Sequence, residues 1–453
     1  MSAVNPRRWW ALIVLAAAQF MVIMDTSIIG VALPDMQREL GFTDSSLQWV
    51  FNAYVVAFGG LLLLGGKLSD LLGARKIFTA GWVVLTAGSV IAAAAGTAWV
   101  EILGRAVQGV GGALIAPAAM TLLMMLFGHN PRELGKAMSL YGAAAPAGGT
   151  AGVFLGGVIT EYLSWPWVFI VYIPIGLATL AAIPALLPKA EGKRGSVDWL
   201  GAIAVTAGVA LAVYAIVTTD WLAGVGAAVL LIAFLLIQRS VREPLMPLAI
   251  WKTPGLAAAN LAMALLGAAW IPMWYFLNLY LQKTLGYGSF ASGAALLPMT
   301  VAVMIFMVGI TARLLGRFGA KPLIVLGLGV LAVGIAGLSL VSANGSFVAD
   351  VLPASLIAAV GMSLAYIPAM MSAMSGVRPE EAGLASGIVN TTYNVGSALG
   401  LAVMTAIATG QGSTNAAFVG AAVVAAIGVV ATVAFMRRPK AVAQEAQRPA
   451  TLA

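Results

Sequence analysis

Arg105 stands inside an apolar, glycine-rich run, EILGRAVQGVGGALIAPAAM, residues 101–120. An arginine keeps its charge at any working pH. At the centre of a bilayer an unmatched charge costs about 2.5–3.5 kcal/mol on insertion scales, so this residue needs a partner. Of the 16 aspartates and glutamates, only Asp25 lies well inside an apolar run; the others fall in loops or within a few residues of a run's end. At ~1.5 Å per helical residue, Asp25 sits about 12 Å and Arg105 about 8 Å below the same end of their helices. The two can meet directly, or through Gln108 or water. Asp25 can lose its charge by taking a proton and Arg105 cannot, which suits the pair, with Gln108, to proton handling; the plainer reading is a static ion pair that fixes helix packing. Glu101 and Glu161 are the fallback proton sites.

A second group could recognise an organic molecule. Trp270, Trp274 and Asn278 recur every fourth residue and share one helix face. Aromatic faces with an amide suit a flat, partly polar ligand through stacking and cation–π contact; an interfacial aromatic belt is the alternative. Asn52 and Tyr54, and Asn390, Tyr393 and Asn394, are further candidates for substrate binding, or equally interhelical hydrogen-bond glue. With so little buried negative charge, such a pocket favours monovalent or neutral lipophiles over multivalent cations.

The elements that must position these residues are membrane helices. Hydrophobic residues make up 61% of 453 and charged residues 9%, against roughly 25% charged in a soluble chain; mean hydropathy is +0.99. Apolar runs near the ~20 residues that cross a bilayer fall at 9–33, 47–66, 76–96, 100–126, 137–160, 167–187, 198–217, 221–237, 256–282, 290–312, 321–342, 349–374, 383–408 and 415–436. The expected fold is an all-α polytopic membrane protein with fourteen spans, the pair after residue 198 being the least clearly separated. The first run reads as a retained helix, since it lacks an A-x-A-like cleavage site. There is no cysteine, so no disulfide or thiolate chemistry, and the single histidine, His129, reads as a solvated loop residue.

The net charge of +8 is distributed by topology and does not point to nucleic acid. With the N-terminus cytoplasmic, all of the 24 lysines and arginines except Arg38, Lys283 and Arg105 fall in inside segments, as the positive-inside rule requires. Both termini are therefore expected in the cytoplasm. The loop GKLSDLLGARK at 66–76 is echoed by ARLLGRFGAKP at 312–322, Gly73 matching Gly319. Both copies lie inside, eight spans apart. Glycine ladders Gly148, Gly152, Gly156 and Gly396, Gly400 form a second echo at nearly the same offset, and with Gly109 and Gly112 let helices pack backbone to backbone. Parallel repeats of this kind organise two-halved transporters.

These motifs resemble the major facilitator superfamily, specifically its fourteen-span drug:H⁺ antiporter family, over nearly the whole chain. GKLSDLLGARK is similar to the family's signature loop, with Gly66, Asp70, Gly73, Arg75 and Lys76 in place. MDTSIIGVALP at 24–34, ILGRAVQGVGGA at 102–113 and AGLASGIVNTTYNVGSALG at 382–400 resemble the first-, fourth- and penultimate-helix motifs. Two motifs depart from the pattern: Val153 replaces the proline of the fifth-span motif, and Pro166 and Tyr172 stand where arginine and asparagine are usual. The resemblance implies two six-helix bundles, 1–188 and 254–436, with two additional helices and linkers at 189–253 and a disordered tail at 437–453. It ties the fourth-span arginine to proton coupling and the 66–76 loop to a conformational latch.

The function so implied is proton-coupled efflux of lipophilic drugs or antibiotics across the cytoplasmic (inner) membrane of a bacterium, by alternating access. The cofactor expectation is none beyond the proton gradient. Expected partners are a small lipophilic substrate, protons and membrane lipid, with a periplasmic adaptor left open and no nucleic acid. An exporter of one natural product, or an H⁺ symporter, are the near alternatives. An enzyme or sensor is the distant one: no H-E-x-x-H, G-x-S-x-G or Walker motif occurs, and no loop is long enough for a soluble domain.

Overall fold

The computed structural model describes residues 7–128, 130–189, 192, 195–342, 345–377 and 382–436; His129, Lys193, Arg194, Arg378 and the 437–453 tail lie outside them. The described residues contain helices and no strand, as a bilayer demands of a chain whose backbone groups must be satisfied within each segment. Among the described residues, thirteen helical segments are long and apolar enough to span. We number fourteen long helices in chain order. The first six are α1 Arg8–Leu40, α2 Asp44–Leu72, α3 Ala74–Ala93, α4 Ala98–Phe127, α5 Pro131–Tyr162 and α6 Trp167–Leu186. A pair follows, α7 Trp199–Thr218 and α8 Trp221–Ser240. The last six are α9 Leu256–Thr284, α10 Ser289–Phe318, α11 Ala320–Leu338, α12 Phe347–Met374, α13 Ala382–Gln411 and α14 Thr414–Phe435. Helix α13 has no charged residue, but polar residues such as Asn390, Thr391, Thr392 and Asn394 dilute its hydropathy.

Two boundaries differ from expectation. The first run, expected to stop at Leu33, continues as helix through Pro34 to Leu40, where Gly41 at φ 72 ends it. Loss of one donor at Pro34 does not break a helix whose flanks are packed. The segment expected as a loop at 66–76 is mostly helix: α2 runs to Leu72, and only Gly73 interrupts it before α3. Gly73 has φ 94 and Gly319, its counterpart in the echo, φ 78. Both positions use a left-handed backbone that an L side chain resists. The tight α7–α8 turn is real; it passes through Thr219 at φ 53, and Asp220 caps α8 by accepting from the Leu222 and Ala223 amides.

The echo recurs in packing. Helix α5 lies along α1 as α13 lies along α9, and α4 along α3 as α12 along α11. The glycine ladders make both contacts: Gly148, Gly152 and Gly156 meet the α1 backbone at Phe20, Met24 and Ile28, while Gly396 and Gly400 meet α9 at Ala264 and Ala268. Helices α1–α6 meet α9–α14 along two seams, α5 on α10 and α2 on α13. Helix α7 flanks the second seam, touching both α2 and α13 and placing Thr206 against Gly60.

Candidate functional site

The Arg105 side chain is fully buried at the meeting of α1, α2, α4 and α6. Its Nη1 donates to Asp25 Oδ2 at 2.6 Å and to Gln108 Oε1 at 2.7 Å, and its Nε donates to the Val50 carbonyl at 2.8 Å. Gln108 Nε2 donates in turn to Ser89 Oγ at 2.9 Å, and Ser89 to the Leu85 carbonyl. A hydrogen-bonded chain thus links α1, α4 and α3. The guanidinium lies 4.7 Å from the Tyr54 ring centre and 5.8 Å from that of Phe169, so cation–π attraction adds to the ion pair in a dry setting. Glycines let these helices come together: the Gln108 backbone amide would lie 2.6 Å from a methyl group at Gly88, and the Tyr54 hydroxyl 3.0 Å from one at Gly112. Gly109 faces the Tyr54 carbonyl in the same way.

Three features of this cluster were not legible beforehand. Tyr54, expected either as a substrate contact or as interhelical hydrogen-bond glue, lies here: its ring faces Arg105 and its hydroxyl donates to the Val22 carbonyl at 3.3 Å. Tyr172, one of the departures from the family motif, is buried with its hydroxyl unpartnered among the described residues. Glu101, expected near a span end, is 0% exposed despite sitting in the first turn of α4. Its position four residues before Arg105 was the available signal, since that spacing puts both on one helix face.

The two sets of helices are sealed at the end carrying the 41–44 and 282–289 loops. Lys283 pairs with Asp44 at 2.9 Å, and Gln282 Nε2 donates to the Val31 carbonyl at 2.9 Å. The Phe290 amide donates to Glu161 at 3.3 Å, and the Trp274 indole lies against Gly30. Further along the same seam α5 and α10 part around an apolar cleft of about 440 Å³, lined by Ala147, Thr150, Ala151, Phe154, Leu297 and Met304. Val153, in place of the motif proline, is fully buried, with its carbonyl against Gly293 of α10. Pro146 lies within α5, and Thr150 donates to its carbonyl at 3.0 Å.

The buried Asp–Arg pair lies within the first six helices, and residues 15–401 match the Major Facilitator Superfamily profile. The chain belongs to that superfamily. It is similar to the puromycin resistance protein pur8 of Streptomyces alboniger, 36% identical over 420 residues, covering 90% of this chain and 83% of that protein. It is equally similar to the cephamycin export protein CmcT of Amycolatopsis lactamdurans, 36% identical over 418 residues, covering 89% and 86%. Among solved structures the nucleoside transporter NupG superposes with a TM-score of 0.70 at 13% identity, covering 94% of this chain and 99% of that one. The human organic anion transporter MFSD10 (TETRAN) gives 0.67 at 14% identity, with 94% and 100% covered. The protein is a multi-pass membrane transporter for small organic molecules.

The residues expected to form a latch sit apart from the ion pair. Asp70 and Lys76 are exposed at the α2–α3 junction. Gly66 opens toward Pro117, and the Arg75 carbonyl accepts from Thr79 at 2.8 Å. A neighbouring residue is engaged. Lys67 binds Glu243 at 2.9 Å, and the same Glu243 oxygen accepts from the Ser196 amide at 2.9 Å. The loops flanking α7–α8 therefore grip the end of α2. They are themselves tied by Asp198, which accepts from Gln238 at 2.6 Å, and by Gln238, which accepts from the Met246 amide. The Lys67 ammonium first, then the Ser196 amide, hold the Glu243 carboxyl below the usual glutamate range.

The substrate candidates are only partly together. Trp274 and Asn278 are buried, and the Asn278 amide donates to the Trp274 carbonyl at 3.0 Å. Both press on α1 at Gly30 rather than line an open space, while Trp270 is half-buried. Asn52 is buried and bonded to Gln48. On α13 the half-buried Asn390 and Asn394 each donate to a carbonyl one turn back, and Asn394 packs on Gly59 across the α2–α13 seam. Tyr393 meets Tyr366 of α12 edge-on at 5.5 Å. Tyr366 was not singled out beforehand; a lone tyrosine in an apolar span carries no signal.

Proposed function

We propose that the protein exports lipophilic antibiotics or drugs across the cytoplasmic membrane of a bacterium by alternating access, driven by the proton gradient and needing no other cofactor. The observation that carries this reading is the Asp25–Arg105 pair, both side chains at most 1% exposed and 2.6 Å apart. A permanently charged arginine and a protonatable aspartate in one dry site form a device whose net charge changes by one when a proton binds. Buried ion pairs are weak evidence for stability, whereas intramembrane ionisable groups mark ion pathways. Protonation of Asp25 frees a hydrogen-bonded α1–α4–α3 chain, so proton binding and helix rearrangement are coupled. The named exporters at 36% identity favour an antibiotic as the cargo.

With the basic loops in the cytoplasm, the sealed 41–44 end is the outer one, which supports an inward-facing reading. The drug would then meet the α12–α13 surface of Tyr366, Tyr393, Asn390 and Asn394 from the cytoplasmic side or laterally through the α5–α10 cleft. Trp274, Asn278 and Trp270 close the pocket toward the outside. The Gly66–Lys76 junction acts as a latch that engages when the cytoplasmic side shuts.

The test is reconstitution in liposomes with an imposed pH gradient, following ethidium, a lipophilic monovalent cation, together with internal pH. Wild type is expected to couple the two fluxes, and Asp25→Asn to retain only downhill exchange. Uphill ethidium transport by Asp25→Asn would reduce the pair to a structural role.

A further inference from the structure

Glu101 is a second acid in the same pocket, and the pair described above does not use it. It is fully buried, and neither carboxyl oxygen meets a hydrogen-bond donor among the described residues. It sits one turn from Arg105 on α4, nearer the 95–97 loop, at the four-residue spacing that brings side chains within reach of one another on a helix. The pair has unused capacity: Arg105 Nη2 has no hydrogen-bond partner among the described residues, and neither has Asp25 Oδ1. The charged groups acting on Glu101 are Arg105 from its own helix and Asp25 from α1. The pocket's other titratable groups are the phenols of Tyr54 on α2 and Tyr172 on α6. Gln108 and, from α3, Ser89 are neutral.

The charges settle which forms coexist. One arginine can balance one carboxylate. A second carboxylate, buried without a donor, would bear a desolvation penalty of several kcal/mol with nothing to offset it. With Asp25 ionised against Arg105, Glu101 is therefore the neutral acid. The reverse arrangement is equally balanced, because Arg105 has a free amino group and Glu101 two free oxygens on the same helix face.

We propose that Glu101 is a second proton-carrying carboxyl, and that it alternates with Asp25 as the counter-ion of Arg105. This rests on the proton-coupled reading above. When Asp25 takes a proton its bond to Arg105 is lost; Glu101 gives up its own proton and the guanidinium turns to it. One proton is held by the two acids before and after, and the charge of the site is conserved, while the bond that ties α1 to α4 is replaced by one within α4. The release of α1 thus costs no isolated buried charge, which a site with Asp25 alone would incur.

The deciding measurement is infrared difference spectroscopy of the purified protein in lipid at neutral pH, reading the carbonyl stretch of protonated carboxyls in water and deuterium oxide. Wild type is expected to show a buried protonated-carboxyl band that is lost in Glu101→Gln, and lost also in Asp25→Asn, where Glu101 alone is left to balance Arg105. Persistence of that band in Glu101→Gln overturns the proposal. Should Glu101→Gln fail to fold, Glu101→Asp serves instead: a shifted band supports the assignment and an unchanged one overturns it. In liposomes, Glu101→Gln is expected to lose uphill ethidium transport and keep downhill exchange, with Glu101→Asp restoring part of the uphill flux; unchanged uphill flux in Glu101→Gln also overturns the proposal. If wild type moved no protons with ethidium, the coupling reading would fall, while the infrared band would still decide whether Glu101 holds one.

Discussion

The Trp274 indole lies against Gly30 with no room between them for even a methyl group. The contact joins α9 to α1 at the sealed end, and Asn278 closes on the same glycine with its amide nitrogen 3.1 Å from where a Cβ would stand. Only hydrogen at position 30 permits this closure.

Gly30→Val is therefore expected to hold the sealed end open. The protein has no cysteine, so introduced pairs report distance cleanly. Cross-linking of Asp44→Cys with Lys283→Cys, efficient in the parent, should fall severalfold when Gly30→Val is added. Trp274→Ala in the Gly30→Val background should restore it, because the clash is removed with the ring.

Removing Arg105 leaves two buried acids without a counter-charge, and removing Asp25 leaves Arg105 with Glu101 alone and no tie to α1. Breaking a buried pair from one side costs up to about 3–5 kcal/mol. Arg105→Gln and Asp25→Asn should each lower the thermal unfolding midpoint in nanodiscs. The double variant should be more stable than the less stable single one, since both charges leave together, and should remain inactive in ethidium transport. A double variant no better than the worse single would show that the pair contributes through packing rather than charge.

The Lys67–Glu243 bridge carries a pH dependence of known sign. Because Glu243 is held below its ordinary range in the folded protein, its contribution is present above the unfolded glutamate value and is lost as pH falls through the lower folded value. At neutral pH the bridge is fully formed. Glu243→Gln should leave overall stability nearly unchanged, as expected of a half-exposed pair, and should flatten the acid limb of unfolding measured from neutral to acidic pH. Labelling of a cysteine at Asp70 should speed up as the grip on α2 loosens.

The glycine ladder separates close from open positions along one helix. A methyl group at Gly152 would come within 2.8 Å of the Met24 carbonyl oxygen, whereas at Gly149 the nearest atom is 3.7 Å away. Gly152→Ala should cost about 1–3 kcal/mol through displaced backbone and Gly149→Ala almost nothing, read as unfolding midpoints of the two variants. Gly396→Ala, at the equivalent contact of α13 with α9, should behave like Gly152→Ala.

Much of this was decided by the order of residues alone. Apolar runs of spanning length can only be helices in a bilayer, so the fourteen segments followed from composition and spacing. The two glycine-centred echoes set the eight-span offset, which reappears as paired packing of α1 with α5 and α9 with α13. The need of Arg105 for a buried acid, and the scarcity of such acids, pointed to Asp25. What the sequence could not carry was the environment of each side chain across helices far apart in the chain. Tyr54 read equally well as a drug contact or as packing until α2 met α4 and put its ring on Arg105. Glu101 looked like a residue at a helix end because linear position measures depth along one helix and says nothing of how far its neighbours rise around it. The grip of Glu243 on Lys67 joins residues 176 apart, and only the packing of α7 beside α2 brings them together. Depth and hydrophobicity are local properties of a sequence, whereas burial, pairing and charge balance belong to the assembled helices.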